Sequence, residues 1–360
     1  MGAGNVGGQI LRLLRQQQGY LVERYGVRLI VTGVAELGGS ILDLNGLHLP
    51  DVCAALDAAV PIARMAGVGR SGMASEEMIR KSGADIVLEA TPANPRDGTP
   101  GLPNTLCAIE SGIHVVLANK SPLVLRYDDL RRRCNMGLQI GQRARRDGRP
   151  CLRFSATVGG ALPTLNLGTR DLRGSHISSV EAVLNGTSQY ILRMMETGAS
   201  FPKTLEDTQR RGIAESDASL DISGYDSAAK LVILANTLFG LSLSLTDVKM
   251  SGIDGISTRA LRAALERGER VVPLCRLEPA DTSDKSRRSE RYSASTWRLF
   301  VGPASLPQSH PLARLEPDEM GVVYYSPYVD RLSAASSEHG PEPAAAAMLR
   351  DVLDIIDQVR

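Results

Sequence analysis

The chain has 360 residues, of which 43% are apolar, and its formal net charge is +1. This length and composition predict a globular protein with two domains, and the near-neutral charge gives no electrostatic reason to expect nucleic acid or an anionic membrane surface as a partner. The apolar runs stay below the roughly 18 residues that a bilayer-spanning helix needs, so we expect no membrane segment.

The cysteines are scattered and never form a Cys-x-x-Cys pair: they are Cys53, Cys107, Cys134, Cys151 and Cys275. This pattern favours reduced thiols over a disulfide framework or a zinc site. Since no secretory signal opens the sequence, we expect a cytoplasmic protein.

A glycine-rich turn begins the chain, and an amphipathic segment follows it from Ile10. The spacing Gly-x-Gly-x-x-Gly allows a tight turn and a close approach of the backbone to a pyrophosphate at a helix N-terminus. The candidate cofactor-binding residues here are Gly2, Gly4, Asn5, Val6 and Gly7. The motif predicts a Rossmann-type domain that binds NAD or NADP.

The strand that should precede such a turn is missing from the sequence, because Met1 stands directly before Gly2. That strand normally lies in the middle of the sheet, and its loss would leave its neighbours with unpaired backbone groups. We therefore expect a true start upstream of Met1, or else a fragment or a protein with a damaged cofactor site.

Residues 27–34 predict the next buried strand, and Glu36 lies just beyond it. An acidic side chain in this region usually binds the ribose hydroxyls of NAD, so Glu36 favours NAD over NADP. A surface glutamate in a turn is an equal alternative.

Two further strands are predicted over residues 84–90 and 114–118. Loops at the carboxyl ends of parallel strands form the ligand-binding edge of a sheet. Thr91 and Pro92 follow the first strand, and Lys120 follows the second. Lys120 therefore either faces the ligand or, as the alternative, extends from the strand end into solvent.

Alternating polar and apolar residues over 177–184 predict a strand of an antiparallel sheet. More strands are predicted over residues 247–256, 271–277 and 296–301.

Asp226 and Lys230 lie four residues apart at the start of a predicted helix that ends at Gly240. This spacing puts both side chains on one face, within reach of each other, and their apolar neighbours predict burial. A buried lysine beside an ordered carboxylate suits proton transfer during carbonyl reduction. An ordinary helical ion pair is the alternative.

Glu215, Asp221, Asp226 and Lys230 follow the order of the signature of homoserine dehydrogenases, a family that this chain resembles. The resemblance extends over nearly the whole chain and includes residues 91–94, 118–120, 185–187 and 310–312.

This resemblance implies an enzyme of threonine, methionine and isoleucine biosynthesis that interconverts L-homoserine and L-aspartate 4-semialdehyde with NAD(P)H. It implies catalytic roles for Lys230, Lys120 and Asp226. The implied substrate-binding residues are Glu215, Asp221, Asp226, Thr187 and Gly186. Beyond the glycine turn, the implied cofactor-binding residues are Thr91, Pro92, Lys120, Gly212 and Gly340.

The resemblance also implies a monovalent cation, Na⁺ or K⁺, on the backbone carbonyls of Val158, Gly160 and Leu162, and a homodimer. Ser155 stands where the family usually has a glutamate, and a hard cation bound mainly by neutral oxygens is held weakly.

The expected fold is α/β, with a Rossmann-type dinucleotide-binding domain over residues 1–150 and an α+β catalytic and dimerisation domain over 151–330, whose sheet is mostly antiparallel. Residues 331–360 are expected to return to the first domain. The alternatives are a degenerate, non-catalytic relative that binds cofactor poorly, and another amino-acid-linked dehydrogenase such as one that acts on aspartate.

Overall fold

A computed structural model describes residues 1–136, 148–211, 213–214, 217–280 and 296–360 of the chain. These residues form two units. The first consists of residues 1–136, 148–160 and Pro341–Arg360, and the second extends from Ala161 to Gly340. No helix in these ranges is long and apolar enough to cross a membrane.

The first unit combines helices with two small sheets. Its helices before the second unit are α1 (Asn5–Tyr25), α2 (Leu49–Asp57), α3 (Ser75–Lys81), α4 (Gly101–Glu110) and α5 (Ser121–Arg133). Its strands are β1 (Gly33–Glu36), β2 (Gly39–Leu42), β3 (Gly69–Ser71), β4 (Ile86–Glu89), β5 (His114–Leu117) and β6 (Leu152–Arg153). Strands β4, β5 and β6 are parallel, as a Rossmann-type sheet requires, and β1, β2 and β3 pair antiparallel.

The predicted strand over residues 27–34 is wrong for most of its length. Only Gly33 and Val34 belong to a strand, and that strand pairs antiparallel with β2. The carbonyls of Val31 and Thr32 instead accept hydrogen bonds from the loop after β2, at distances of 2.8 and 2.9 Å. A strand needs a neighbour to pair with, and β4, the outer strand of the parallel sheet, does not pair with these residues.

The second unit is built on one six-stranded sheet. Its strands are β7 (Ser179–Val183), β8 (Val248–Met250), β9 (Glu269–Pro279), β10 (Trp297–Pro307), β11 (Glu319–Ser326) and β12 (Asp330–Ser337). Its helices are α6 (Thr164–Asn166), α7 (Gly186–Glu196), α8 (Phe201–Arg210), α9 (Ser219–Ile222), α10 (Tyr225–Phe239) and α11 (Thr258–Glu266). Every strand pair is antiparallel except β10 with β8, which confirms the predicted fold class.

Helix α10 is the most deeply buried helix of the second unit. Every residue from Ser227 to Phe239 except Lys230 is buried, as expected for a helix with apolar side chains on all sides. Gly240, in the left-handed conformation, ends the helix at the predicted position.

The last helix, α12 (Glu342–Val359), belongs to the first unit. Met348, Val352 and Ile355 on α12 join the same apolar core as Leu11 and Leu14 on α1. The strand before it, β12, pairs with β11 in the second unit.

The boundary between the two units along the chain lies after Gly160. Strand β6 comes before this boundary and pairs with β5, so it belongs to the parallel sheet of the first unit.

All five cysteines are buried and free. Burial raises the pKa of the Cys134 and Cys275 thiols to about 12.

Candidate active site

Lys230 and Asp226 form an ion pair on the first two turns of α10. The lysine Nζ lies 2.7 Å from Oδ2 of Asp226, and their side chains are only 13% and 14% exposed. Lys230 also donates a hydrogen bond of 2.5 Å to the carbonyl oxygen of Leu184, at the end of β7. Two oxygens therefore hold the ammonium group in a mostly buried position.

Asn185 brings the carboxylates of Asp221 and Asp226 together. Its Nδ2 donates to Oδ1 of Asp221 at 2.6 Å and to Oδ2 of Asp226 at 3.0 Å. Its Oδ1 accepts from the backbone N–H of Ser188 at 2.8 Å and so caps the N-terminus of α7. One amide thus fixes two acids from different helices, and Asp226 is also the partner of Lys230.

The other two residues of the Asn185-Gly186-Thr187 motif contribute differently. Gly186 begins α7, and a Cβ atom added there would meet nothing within 4 Å. The hydroxyl of Thr187 donates to the carbonyl of Ile213 at 3.4 Å. Asn185 therefore makes the contacts that order the acids, although the resemblance assigned the substrate-binding role to its two neighbours.

Glu338 is a second acid near Lys230 that the sequence did not reveal. Its carboxylate accepts from the backbone N–H groups of Ala161 at 3.3 Å and Leu162 at 3.0 Å. Burial raises the pKa of Glu338, and the Lys230 ammonium acts in the opposite direction. The residue lies in a short polar turn after β12, where a glutamate carries no recognisable sequence signal.

In the first unit, close backbone contacts fix the conformation of the glycine turn. Gly2 has a φ of +75°, a conformation that favours glycine, and a Cβ on Gly7 would lie 1.7 Å from the Gly2 carbonyl oxygen. A Cβ on Gly4 would meet nothing within 4 Å. The turn itself therefore requires glycine at positions 2 and 7, whereas Gly4 leaves open space at the N-terminus of α1. Asn5 and Val6 form the first turn of this helix.

Glu36 is the last residue of β1 and is half-buried. The carbonyl of Ala35 accepts a hydrogen bond of 2.9 Å from the N–H of Gly2. This bond places Glu36 next to the glycine turn along the strand.

The loop after β4 is held by Glu89, a fully buried acid that the sequence analysis did not single out. Glu89 accepts from the backbone N–H of Thr91 at 2.9 Å and also from the Thr91 hydroxyl. Asn119 Nδ2 donates to the Thr91 hydroxyl and to the carbonyl of Pro92, both at 3.2 Å. The two strand-end loops that carry Thr91, Pro92 and Lys120 are therefore bonded to each other.

Lys120 immediately precedes α5 and is half-buried. Gly212 and Glu215 lie outside the described residues. Gly340 precedes α12 and has a φ of +64°.

The candidate cation ligands differ in their surroundings. Val158 is fully buried, and the carbonyl of Leu162 accepts a hydrogen bond of 2.7 Å from the N–H of Thr164. Gly160 has a φ of +59°. Among the described residues, no group of three or more His, Cys, Asp and Glu side chains could hold a metal ion.

Ser155 pairs with an acid from α12. Its backbone N–H donates to Oδ2 of Asp351 at 2.7 Å, and its hydroxyl donates to Oδ1 at 2.6 Å. Burial raises the pKa of Asp351, and these hydrogen bonds act in the opposite direction.

Comparison with known proteins points to one family. The homoserine dehydrogenase family model matches residues 163–353. A homoserine dehydrogenase from Methanocaldococcus jannaschii is 30% identical over 361 residues, which cover 100% of this chain and 98% of the relative. An NAD(+)-dependent homoserine dehydrogenase from Pseudomonas canavaninivorans is 30% identical over 358 residues, or 99% of this chain and 94% of the relative.

The crystal structure of a homoserine dehydrogenase from Thiobacillus denitrificans superimposes with a TM-score of 0.76 at 25% identity, covering 98% of this chain and 71% of that one. These matches lend no support to a non-catalytic relative or to an enzyme that acts on aspartate. The chain belongs to the homoserine dehydrogenase family, whose members are NAD(P)-dependent oxidoreductases that act on a CH–OH group.

Proposed function

We propose that this protein interconverts L-homoserine and L-aspartate 4-semialdehyde and that Lys230 moves the proton. The observation that carries the proposal is the ammonium of Lys230, held 2.7 Å from Asp226 in a mostly buried position. The open space at Gly4 and the close contact at Gly7 fit the backbone approach that a pyrophosphate requires. When bound there, NAD(P) supplies the hydride for reduction or accepts it during oxidation.

During reduction of the semialdehyde, the carbonyl carbon gains a hydride and the electron pair of the C=O bond moves to oxygen. Lys230 gives the proton that this oxygen needs, and in the oxidation direction the neutral amine takes the proton back from the hydroxyl. A fixed positive charge at a developing alkoxide contributes a few kcal/mol to catalysis. Asp226 holds the ammonium in place, and Lys120 shares the stabilisation of the oxygen.

The substrate carries an α-ammonium group, so its pocket needs anions. Asp221 and Asp226 supply two carboxylates that Asn185 holds close together, and Glu215 is the third acid of the proposed set. Gly186 and Thr187 complete the substrate-binding set.

The first unit is the proposed cofactor-binding domain. We assign the dinucleotide to Gly2, Gly4, Asn5, Val6, Gly7, Glu36, Thr91, Pro92, Lys120, Gly212 and Gly340. Glu36 lies next to the glycine turn along β1, so we propose that its carboxylate binds the ribose hydroxyls and favours NAD over NADP.

The remaining assignments concern location, pathway, assembly and a bound cation. We propose a cytoplasmic enzyme of threonine and methionine biosynthesis that forms a homodimer through the second unit, which we assign as its catalytic domain. We also propose a weakly held Na⁺ or K⁺ near the carbonyls of Val158, Gly160 and Leu162.

The test is homoserine-dependent reduction of NAD and of NADP, followed at 340 nm, for the parent protein, Lys230→Ala and Lys203→Ala. Lys203 is an exposed lysine on α8 and serves as the matched control. We expect activity in the parent and in the Lys203 variant, and its loss in the Lys230 variant. Failure of the parent to oxidise homoserine with either cofactor would refute the assignment. Full activity of Lys230→Ala would remove this lysine from the mechanism.

A further inference from the structure

Glu89 is the last residue of β4, and its side chain is fully buried. Burying a carboxylate is costly unless hydrogen bonds or an opposite charge replace the lost water. Three uncharged groups donate hydrogen bonds to it: the backbone N–H of Thr91 at 2.9 Å, the Thr91 hydroxyl, and Nδ2 of Asn104 at 2.8 Å. These bonds stabilise the carboxylate but leave its negative charge in place.

The other partners of these donors fix the direction of each bond. Asn119 donates to the Thr91 hydroxyl at 3.2 Å, so the hydroxyl proton is free to point at Glu89. The Ser75 hydroxyl donates to Oδ1 of Asn104 at 2.6 Å, which leaves the Asn104 NH₂ group facing Glu89. An ionised carboxylate accepts hydrogen bonds and does not donate, so this arrangement suits the charged form of Glu89.

The glycine turn packs directly against the residues that follow Glu89. A Cβ atom on Gly2 would lie 2.9 Å from the carbonyl oxygen of Ala90 and 2.9 Å from the backbone nitrogen of Thr91. Ligands of open parallel sheets bind at the carboxyl ends of the strands, which here include the end of β4. The proposed function puts the adenine end of the dinucleotide at Glu36 on β1, so the nicotinamide end falls on the β4 side of the turn.

The two redox forms of the cofactor differ in charge at that end. The nicotinamide ring of NAD⁺ carries a positive charge, whereas the ring of NADH is neutral. A fixed negative charge away from water acts strongly on a charged ring and hardly on a neutral one.

We infer that the Glu89 carboxylate stabilises the oxidised cofactor relative to the reduced one on this protein. The inference rests on the proposed function and adds a residue that tunes its cofactor site by charge. Glu89 also orders the loop that carries Thr91. The two roles have different signatures, because a disordered loop would weaken the binding of both cofactor forms, whereas a lost charge would weaken the binding of NAD⁺ alone.

Two other groups near this end can carry a charge. Glu89 attracts the amino group of Met1, but burial is the larger effect on that group, lowers its pKa and favours the neutral amine. Lys120, after β5, is only half-buried, so its charge is more strongly screened by water than that of Glu89. Both groups are still present when Glu89 is changed, and the difference between parent and variant therefore reports on Glu89.

Glu89→Gln can remove the charge and keep the hydrogen bonds. The glutamine oxygen would accept from Thr91, and its NH₂ group would face Asn104. If the Asn104 amide rotates by half a turn, its oxygen accepts from the glutamine and its NH₂ group donates to the Ser75 hydroxyl, which can accept as well as donate.

The test is calorimetric titration of the parent and three variants with NAD⁺, with NADH and with ADP-ribose, which lacks the ring. The NADP pair replaces the NAD pair if the parent binds it more tightly. Glu89→Gln should weaken binding of the oxidised form by roughly 3- to 30-fold and leave the other two affinities unchanged. Glu23→Gln removes an exposed carboxylate of α1, and Ser75→Ala breaks the hydrogen-bond chain but keeps the charge. Both controls should keep the parental ratio of oxidised to reduced affinity.

Equal weakening of both redox forms in Glu89→Gln, or no weakening of either, would overturn the inference. Failure of the parent to bind any of these ligands would overturn the proposed dinucleotide site and this inference together. Cofactor binding without homoserine oxidation would refute the proposed activity alone, and the affinity ratio would still decide the role of Glu89.

If Glu89→Gln does not fold, the parent protein decides the question. Benzamide adenine dinucleotide has the shape of NAD⁺ but carries a neutral benzene ring in place of the charged one. The parent should bind NAD⁺ several-fold more tightly than this analogue, since the buried carboxylate outweighs the screened Lys120. Equal or tighter binding of the neutral analogue would overturn the inference.

Discussion

Nζ of Lys230 lies 2.7 Å from Oδ2 of Asp226, one helical turn earlier on α10. The same carboxylate oxygen accepts a hydrogen bond from Asn185, which in turn binds Asp221. The proposed proton donor and two of the proposed substrate-binding acids therefore form a single hydrogen-bonded group. Changes to individual members should have distinguishable effects on turnover, binding and stability.

Lys230→Ala should lower kcat by roughly 10²–10⁴-fold with a smaller change in KM, because the lost proton transfer belongs to the transition state. Steady-state kinetics with homoserine measure both constants. Lys230→Arg is the informative comparison, since arginine keeps the positive charge but does not release its proton. Recovery of full turnover in the arginine variant would show that Lys230 serves only as a charge.

Asn185→Ala should lower both activity and stability. It removes the amide between the two acids and the N-cap of α7, whose loss costs about 1 kcal/mol. Asn185→Ser keeps a capping hydroxyl but loses the amide, so we expect near-parental Tm with a raised KM for homoserine. Thermal unfolding and kinetics separate the two roles, and unchanged KM in both variants would contradict the role of Asn185 in ordering the acids.

Gly4→Ala and Gly7→Ala should differ in their effect on Tm, although both should reduce cofactor affinity. A Cβ at position 7 would lie 1.7 Å from the Gly2 oxygen, so Gly7→Ala should reduce Tm as well as cofactor affinity. Gly4→Ala has room within the protein and should reduce cofactor affinity alone.

Gly19→Ala, at an open position of α1, is the control for both variants and should gain about 0.5–1 kcal/mol in stability without a change in cofactor binding. Titration of each variant with NAD and NADP, followed by fluorescence, measures the affinities. Parental cofactor affinity of Gly4→Ala would argue against a pyrophosphate at this turn.

Glu36→Arg should shift cofactor preference from NAD towards NADP, because the carboxylate that suits free ribose hydroxyls is replaced by a cation that suits a 2′-phosphate. The ratio of kcat/KM for the two cofactors is the relevant measurement. Glu23→Arg, on the exposed face of α1, makes the same charge change as a control. Equal ratios in the two variants would show that Glu36 does not contact the ribose.

Asp351→Asn should reduce the dependence of stability on pH. Burial raises the pKa of Asp351 in the folded protein, so folding favours the protonated acid. Its contribution to stability is full below the ordinary aspartate pKa of about 3.9 and is lost as pH rises through the folded pKa.

The Asp351→Asn variant should therefore gain stability relative to the parent as pH rises from about 4 towards neutrality. Parallel Tm profiles of the two proteins would show that the ionised acid is not penalised in the fold.

The sequence predicted the elements whose signals are local. The ends of α10 follow from a glycine stop and an apolar run, and the Asp226–Lys230 contact follows from helical spacing. The turn of Gly2 and Gly7 likewise needs nothing beyond the spacing of its glycines.

Contacts between residues far apart in sequence could not be predicted in this way. Glu338 reaches Ala161 and Leu162 from the turn after β12, and Glu89 orders a loop through bonds that its own strand does not reveal. Residues 27–34 have strand composition, but pairing depends on a neighbour. Composition indicates whether a segment can form a strand, whereas the presence of a neighbouring strand decides whether it does.

The burial of all five cysteines has a practical consequence for spectroscopy. A thiolate is the form that reacts with maleimides, and inaccessible thiols with pKa values of about 12, as at Cys134 and Cys275, stay almost wholly protonated at neutral pH. A single cysteine introduced at the exposed Lys249 should accept a fluorescent or spin label selectively in the folded enzyme. Labelling at this position would then need no prior removal of the protein's own cysteines.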